Sequence, residues 1–107
     1  MSIIDLNLDK LLPNDRVDSI SGRIFGQGVA ETERILDRVA AGDTFKIIIS
    51  NKITFINDSF WKGFFKEIFK KLGSKSKLLE KFEFEANSNF IADIHENLDV
   101  LNSIYNS

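Results

Sequence analysis

Residues 45–65 read Phe-Lys-Ile-Ile-Ile-Ser-Asn-Lys-Ile-Thr-Phe-Ile-Asn-Asp-Ser-Phe-Trp-Lys-Gly-Phe-Phe. Thr44 to Ser50 is short, β-branched and apolar nearly throughout, the pattern of a central strand covered on both faces. Asn51 to Asn57 reads as a turn with a short apolar stretch, Ile53 to Ile56. Asn57, Asp58 or Ser59 can each supply a side-chain oxygen that caps a helix N-terminus. The helix that follows is expected from about Asp58 to Leu72, with Gly73 as its stop. Strand, turn, cap and helix in this order are the core of a β–α unit.

The remaining elements extend that unit in both directions. Upstream, Ser2 to Leu8 alternates Ile4, Leu6 and Leu8 with Asp5 and Asn7, a strand signal. Lys10 to Ser21 holds the only proline and several turn formers and reads as a connection. Gly22-Arg-Ile-Phe-Gly-Gln-Gly28 is a glycine-rich approach to a helix over Val29 to Ala41, on which Val29, Thr32, Ile35, Leu36, Val39 and Ala40 share a face. Downstream, residues 74–79 form a lysine-rich link. Lys81 to Ala86 alternates Phe82 and Phe84 with Glu83 and Glu85, as an edge strand does. Asn87 or Ser88 caps a final helix whose Phe90, Ile91, Ile94, Leu98, Leu101 and Tyr105 share a face. The order β, α, β, α, β, α predicts one small α/β domain over residues 1–107, with a mainly parallel or mixed sheet and about three helices.

Composition narrows the function classes. The 107 residues carry Lys+Arg 14 against Asp+Glu 16, a net charge of −2, which argues against a globally basic nucleic-acid binder. The absence of cysteine removes disulfides, thiolate metal sites and cysteine nucleophiles. With a single histidine, His95, a multi-histidine metal site or a Ser-His triad has almost nothing to work with. No cofactor or metal is expected. The apolar runs are too short to span a membrane, and the N-terminus lacks the basic, then apolar pattern of a signal peptide, so a cytoplasmic protein is expected.

Charge and aromatics are unevenly placed. Residues 62–81 hold 7 basic and 2 acidic side chains, and residues 82–107 hold 5 acidic and no basic ones. Lys62, Lys66 and Lys70 at i, i+4 spacing suit a solvated helix face, with the acidic tail as internal counter-charge. Six of the ten phenylalanines lie between Phe45 and Phe69. On the helix after Ser59, apolar residues cover about half the circumference, where a helix on a sheet needs nearer a third. Trp61, Phe65 and Phe69 at the margin are therefore expected to stay partly exposed as protein-contact anchors, unless the last helix or the 74–79 link covers them. Gly22, Gly26 and Gly28 lack the third glycine of a dinucleotide fingerprint, with Glu31 in its place, and read as a tight approach to a helix.

The stretch Thr54-Phe55-Ile56-Asn57-Asp58-Ser59 resembles the turn of STAS domains (sulphate transporter and anti-sigma factor antagonist), and the chain is more similar still to the bacterial STAS-like domains of unknown function. Ser59-Phe60, Phe64-Phe65, Leu72-Gly73 and Glu80-Lys-Phe-Glu-Phe84 follow the layout of that group, and the resemblance spans roughly residues 20–104. Asn57 stands where an acidic residue is usual, and Phe60 stands where antagonists commonly carry glycine. The resemblance implies a non-enzymatic, regulatory protein–protein interaction module with Ser59 as candidate phosphoacceptor. Its partner-binding surface would comprise Asn57, Asp58, Ser59, Trp61, Lys62, Phe65 and Phe69. The partner it implies is a histidine-kinase-like ATPase. The alternative is a small inhibitor or immunity protein, phage- or toxin-linked, that binds and blocks a target complex. Either a monomer or a weak homodimer, through the Phe-rich helix or the edge strand, is expected.

Overall fold

A computed structural model describes residues 2–14 and 16–105. Met1, Asp15, Asn106 and Ser107, which the expected domain over 1–107 includes, lie outside the described residues. The elements run β1 (Ile3–Asn7), a 3₁₀ turn (Leu8–Leu11), β2 (Ser19–Ile20), α1 (Arg23–Thr32), α2 (Ile35–Ala40), β3 (Thr44–Ile48), β4 (Phe55–Ile56), α3 (Asp58–Leu72), α4 (Lys75–Leu79), β5 (Phe82–Glu85) and α5 (Ser88–Tyr105). It is a small α/β domain. The main sheet is parallel, in the order β1-β3-β5, and a separate two-residue pair joins β2 to β4.

The expected strands stand where periodicity put them, with β3 central and β5 at an edge. In the parallel register Ile4 and Leu6 lie beside Phe45 and Ile47, which lie beside Phe82 and Phe84, so these six share one face. That face is the core. The opposite face carries Ile3, Asp5, Asn7, Thr44, Lys46, Ile48, Glu83 and Glu85. The expectation that β3 is covered on both faces is corrected: Phe45 and Ile47 are buried, but Thr44, Lys46 and Ile48 are only half-buried. The physical reason is the order of strands. Two crossovers of one hand stepping in one direction place their helices on a single side of the sheet.

Helices depart from expectation in number and extent. The glycine-rich approach is itself helical, within α1. The continuous helix over 29–41 is instead two, broken at Arg34, which adopts left-handed backbone at φ 52. The break turns Ile35 and Val39 into the core and leaves Thr32, Leu36 and Ala40 exposed, so the six residues do not share a face. The 74–79 link is largely helical, as α4, capped by the Ser74 side chain on the Lys77 N–H.

Central to the packing is α3. Its Gly63 lies against the Arg23 carbonyl, and Gly26 of α1 lies against the Phe60 carbonyl and the Phe64 amide. Each glycine lets the other helix's backbone approach where a Cβ could not. On the sheet side the Phe65 ring meets Phe82 edge-on at 5.6 Å, and on the α5 side Phe69 lies 6.3 Å from Tyr105.

Candidate functional site

Because β1, β3 and β5 are parallel, the segments that follow them all emerge at the carboxyl edge of the sheet, where open α/β folds build their sites. The stretch around Ser59 lies there. Asn57 is the cap of α3: its side-chain oxygen accepts the Ser59 N–H at 2.9 Å, and Asp58 occupies the first turn, where the helix dipole favours negative charge.

The turn is held from three directions. The Thr54 and Asn57 amides donate to the Asp18 and Ile20 carbonyls, each at 2.8 Å, on either side of the β2–β4 pair. Asn97 of α5 donates to Asp58 Oδ1 at 3.0 Å and to the Asp93 carbonyl at 2.9 Å. Ser59 Oγ accepts the Gly22 N–H at 3.2 Å, which ties the turn to the start of α1. Gly22 is the N-cap residue of α1 and supplies no side-chain cap. Ser59 therefore stands at the start of two helices, its own and α1.

Of the residues expected to bind a partner, Asn57, Asp58, Ser59 and Lys62 gather here: Asp58 is exposed and the other three are half-buried. Trp61, Phe65 and Phe69 do not reach the surface. All three are 0% exposed, which corrects the expectation that they form a contact margin. The wide apolar arc exists because α3 is walled by α1, the sheet and α5 together, rather than resting on the sheet alone. The apolar side chain that the turn does present is Phe55, 55% exposed.

Two site elements were passed over in the sequence. Asn97 is a polar residue inside the apolar stripe of α5, three residues after Ile94, and that interruption was its signal. Asp9 and Ser50 follow β1 and β3, and Ser50 Oγ donates to Asp9 Oδ2 at 2.6 Å while Asp9 Oδ1 is buried without a partner among the described residues. Nothing in the spacing of these two residues, 41 apart, announces the pair. Among the described residues the lysine-rich stretch finds one counter-charge in the acidic tail, Lys75 with Asp99 at 2.7 Å. Among the described residues no group of three or more His, Cys, Asp or Glu is placed to hold a metal ion, and no helix is long and apolar enough to cross a membrane.

No family model, no curated protein and no solved structure matches this chain.

Proposed function

We propose that this chain is a regulatory, non-enzymatic protein-binding module whose docking surface is the 54–59 turn with the first turn of α3, and that phosphorylation of Ser59 switches it. The observation that carries the reading is the triple anchoring of the turn. Hydrogen bonds to 18–22 and to Asn97 hold it in one shape, yet Phe55 and Asp58 face solvent. A rigid, exposed turn with an aromatic anchor binds with little ordering cost.

The electrostatics suit a switch. A phosphate on Ser59 would sit at the N-terminal pole of α3 and beside the start of α1, whose cap residue offers no side-chain oxygen; both favour negative charge. Asp58 opposes it, and a phosphate of about −2 repels an acidic or apolar partner face. The partner the STAS-like resemblance implies is a histidine-kinase-like ATPase, which would be both binder and phosphoryl donor.

Affinity capture with the wild type and with Ser59→Asp, read by mass spectrometry, tests this. An ATPase partner retained by the wild type and lost by the variant is the expected result. A partner held equally by both, such as a nuclease or toxin, overturns the switch and points to an inhibitor or immunity protein.

A further inference from the structure

We propose that the elbow between α1 and α2 is a binding site for a small organic cation, an amine carried on an apolar or aromatic body. The starting observation is a hollow of about 270 Å³ where α1, α2 and α3 meet. Gln27, Ala30, Glu31 and Arg34 line it from α1 and the break that follows, at the i, i+3, i+4, i+7 spacing of one helix face. Phe64, Glu67 and Ile68 line it from α3, and Ile35 from α2.

The local backbone and the residue sizes leave this space unfilled. Arg34 adopts left-handed backbone at φ 52, which is unfavourable for any residue with a Cβ, and lining residues lie on both sides of it. Strain of this kind is characteristic of binding and switch regions. Between Gln27 and Glu31 on the lining face stands Ala30, whose single methyl fills little of a hollow that close packing elsewhere in an interior would close.

Burial divides the lining into a bottom and a mouth. Ile35, Phe64 and Ile68, none more than 1% exposed, close the bottom, and the exposed carboxylates Glu31 and Glu67 stand at the mouth, one from each long helix. Among the described residues the lining holds three carboxylates, these two and Asp37, against one base, Arg34. Arg34 is met by Asp37 at 3.3 Å. Glu31 has no ion pair among the described residues and accepts only from the Gln27 amide, at 3.5 Å. Glu67 has Lys70 at 3.8 Å, beyond hydrogen-bond distance, and Lys70 lies outside the lining, 5.5 Å above the Tyr105 ring.

Charge selects the occupant. An anion would meet two carboxylates with the one base already engaged, and a neutral apolar molecule would leave both carboxylates unused. A protonated amine donates to Glu31 and Glu67 while its apolar body covers Ile35, Phe64 and Ile68. Drug-sized ligands fill ~300–1,000 Å³, so this hollow suits a molecule of one ring or a short chain. The site lies towards the end of α1, whereas Ser59 contacts Gly22 at its start, so the inference stands apart from the switch.

Titration of the isotope-labelled protein with phenethylamine, followed by amide NMR shifts, tests it, with phenethyl alcohol and phenylacetate as neutral and anionic counterparts. The amine is expected to bind saturably with a dissociation constant of about 1 mM or tighter, and about tenfold or more tighter than either counterpart. The shifts should centre on residues 27–37 and 63–68. Glu31→Gln/Glu67→Gln should lower the amine to the affinity of the alcohol, and Ala30→Phe, which fills the hollow, should abolish binding. Circular dichroism shows that each variant folds. No saturable shift up to about 10 mM overturns the proposal. So does an alcohol or acid that binds as well as the amine, or a double glutamine variant that keeps the preference.

Discussion

The side-chain amide of Asn97, 3% exposed, donates to Asp58 Oδ1 at 3.0 Å and so ties the last helix to the first residue of α3. The geometry leaves the amide a donor and the carboxylate an acceptor, and a carboxylate at 97 reverses the interaction. In an Asn97→Asp variant the new acid is buried beside Asp58, and both burial and like charge raise its pKa in the folded state above its unfolded value. A group raised in this way favours folding when protonated, so its destabilisation is full at neutral pH and relieved as pH falls towards the ordinary carboxylate range. The expected cost at pH 7 is about 3 kcal/mol or more. Asn97→Ala should cost nearer ~1 kcal/mol with no such pH dependence, because exposed Asp58 rehydrates. Urea melts at pH 7 and pH 4.5 check both; equal gaps from wild type at the two pH values for Asn97→Asp would contradict the pairing.

Three glycines near the α1–α3 crossing are expected to respond to alanine with opposite signs. A Cβ on Gly26 would meet the Phe60 carbonyl and stand 2.9 Å from the Phe64 nitrogen, and one on Gly63 would meet the Arg23 carbonyl. Backbone cannot give way as a flexible side chain does, so each variant should lose ~3 kcal/mol or fail to fold. Gly28→Ala meets nothing and should gain ~0.5–1 kcal/mol through helix propensity. Thermal melts of the three variants side by side decide the matter.

Trp61 is the only tryptophan, and its burial among Phe60, Phe64 and Phe65 is directly readable. Its emission should be blue-shifted in the native protein and nearly insensitive to iodide, and should shift red on unfolding. Truncation to alanine should cost ~3–5 kcal/mol. Strong native quenching by iodide would restore Trp61 to the surface.

On the open face of the sheet, Lys46 lies 3.2 Å from Glu85 and between Asp5 and Glu83 in register. The hydrogen bond and charge of Glu85 raise its pKa above 10.5, with smaller contributions from Glu83 and Asp5. A lysine raised on folding stabilises the fold below its unfolded pKa and ceases to do so as pH rises through the folded value. Lys46→Met should therefore be less stable than wild type at pH 7, with the gap closing above about pH 10.5 and in high salt. A gap that persists in 1 M salt would assign the effect to packing of the lysine stem instead.

Local chemistry made much of the fold legible. Period-two alternation located β1 and β5, the β-branched run located β3, and Gly73 and the polar runs Asn57–Ser59 and Asn87–Ser88 marked helix ends, of which the structure selects Asn57 and Asn87 as the residues whose side chains accept a first-turn N–H. The start of α1 was missed because glycines lower helix propensity, while the reason for Gly26, the close passage of the α3 backbone at Phe60 and Phe64, lies 34 to 38 residues away in the chain. The same reason hid the second partner of Ser59, a backbone amide at Gly22 that carries no sequence signature.

The small α/β class, the places of the three main-sheet strands and the turn bearing Asn57, Asp58 and Ser59 were determined by the sequence, through periodicity and capping that act over a few residues. Only the tertiary structure decided which faces those elements hide. It enclosed Trp61, Phe65 and Phe69 between α1, α5 and the sheet, left one face of β3 open, and turned Ile24 and Phe55 outward. Burial depends on how many neighbours surround an element, and that number follows from crossover direction and helix approach, which no local pattern encodes.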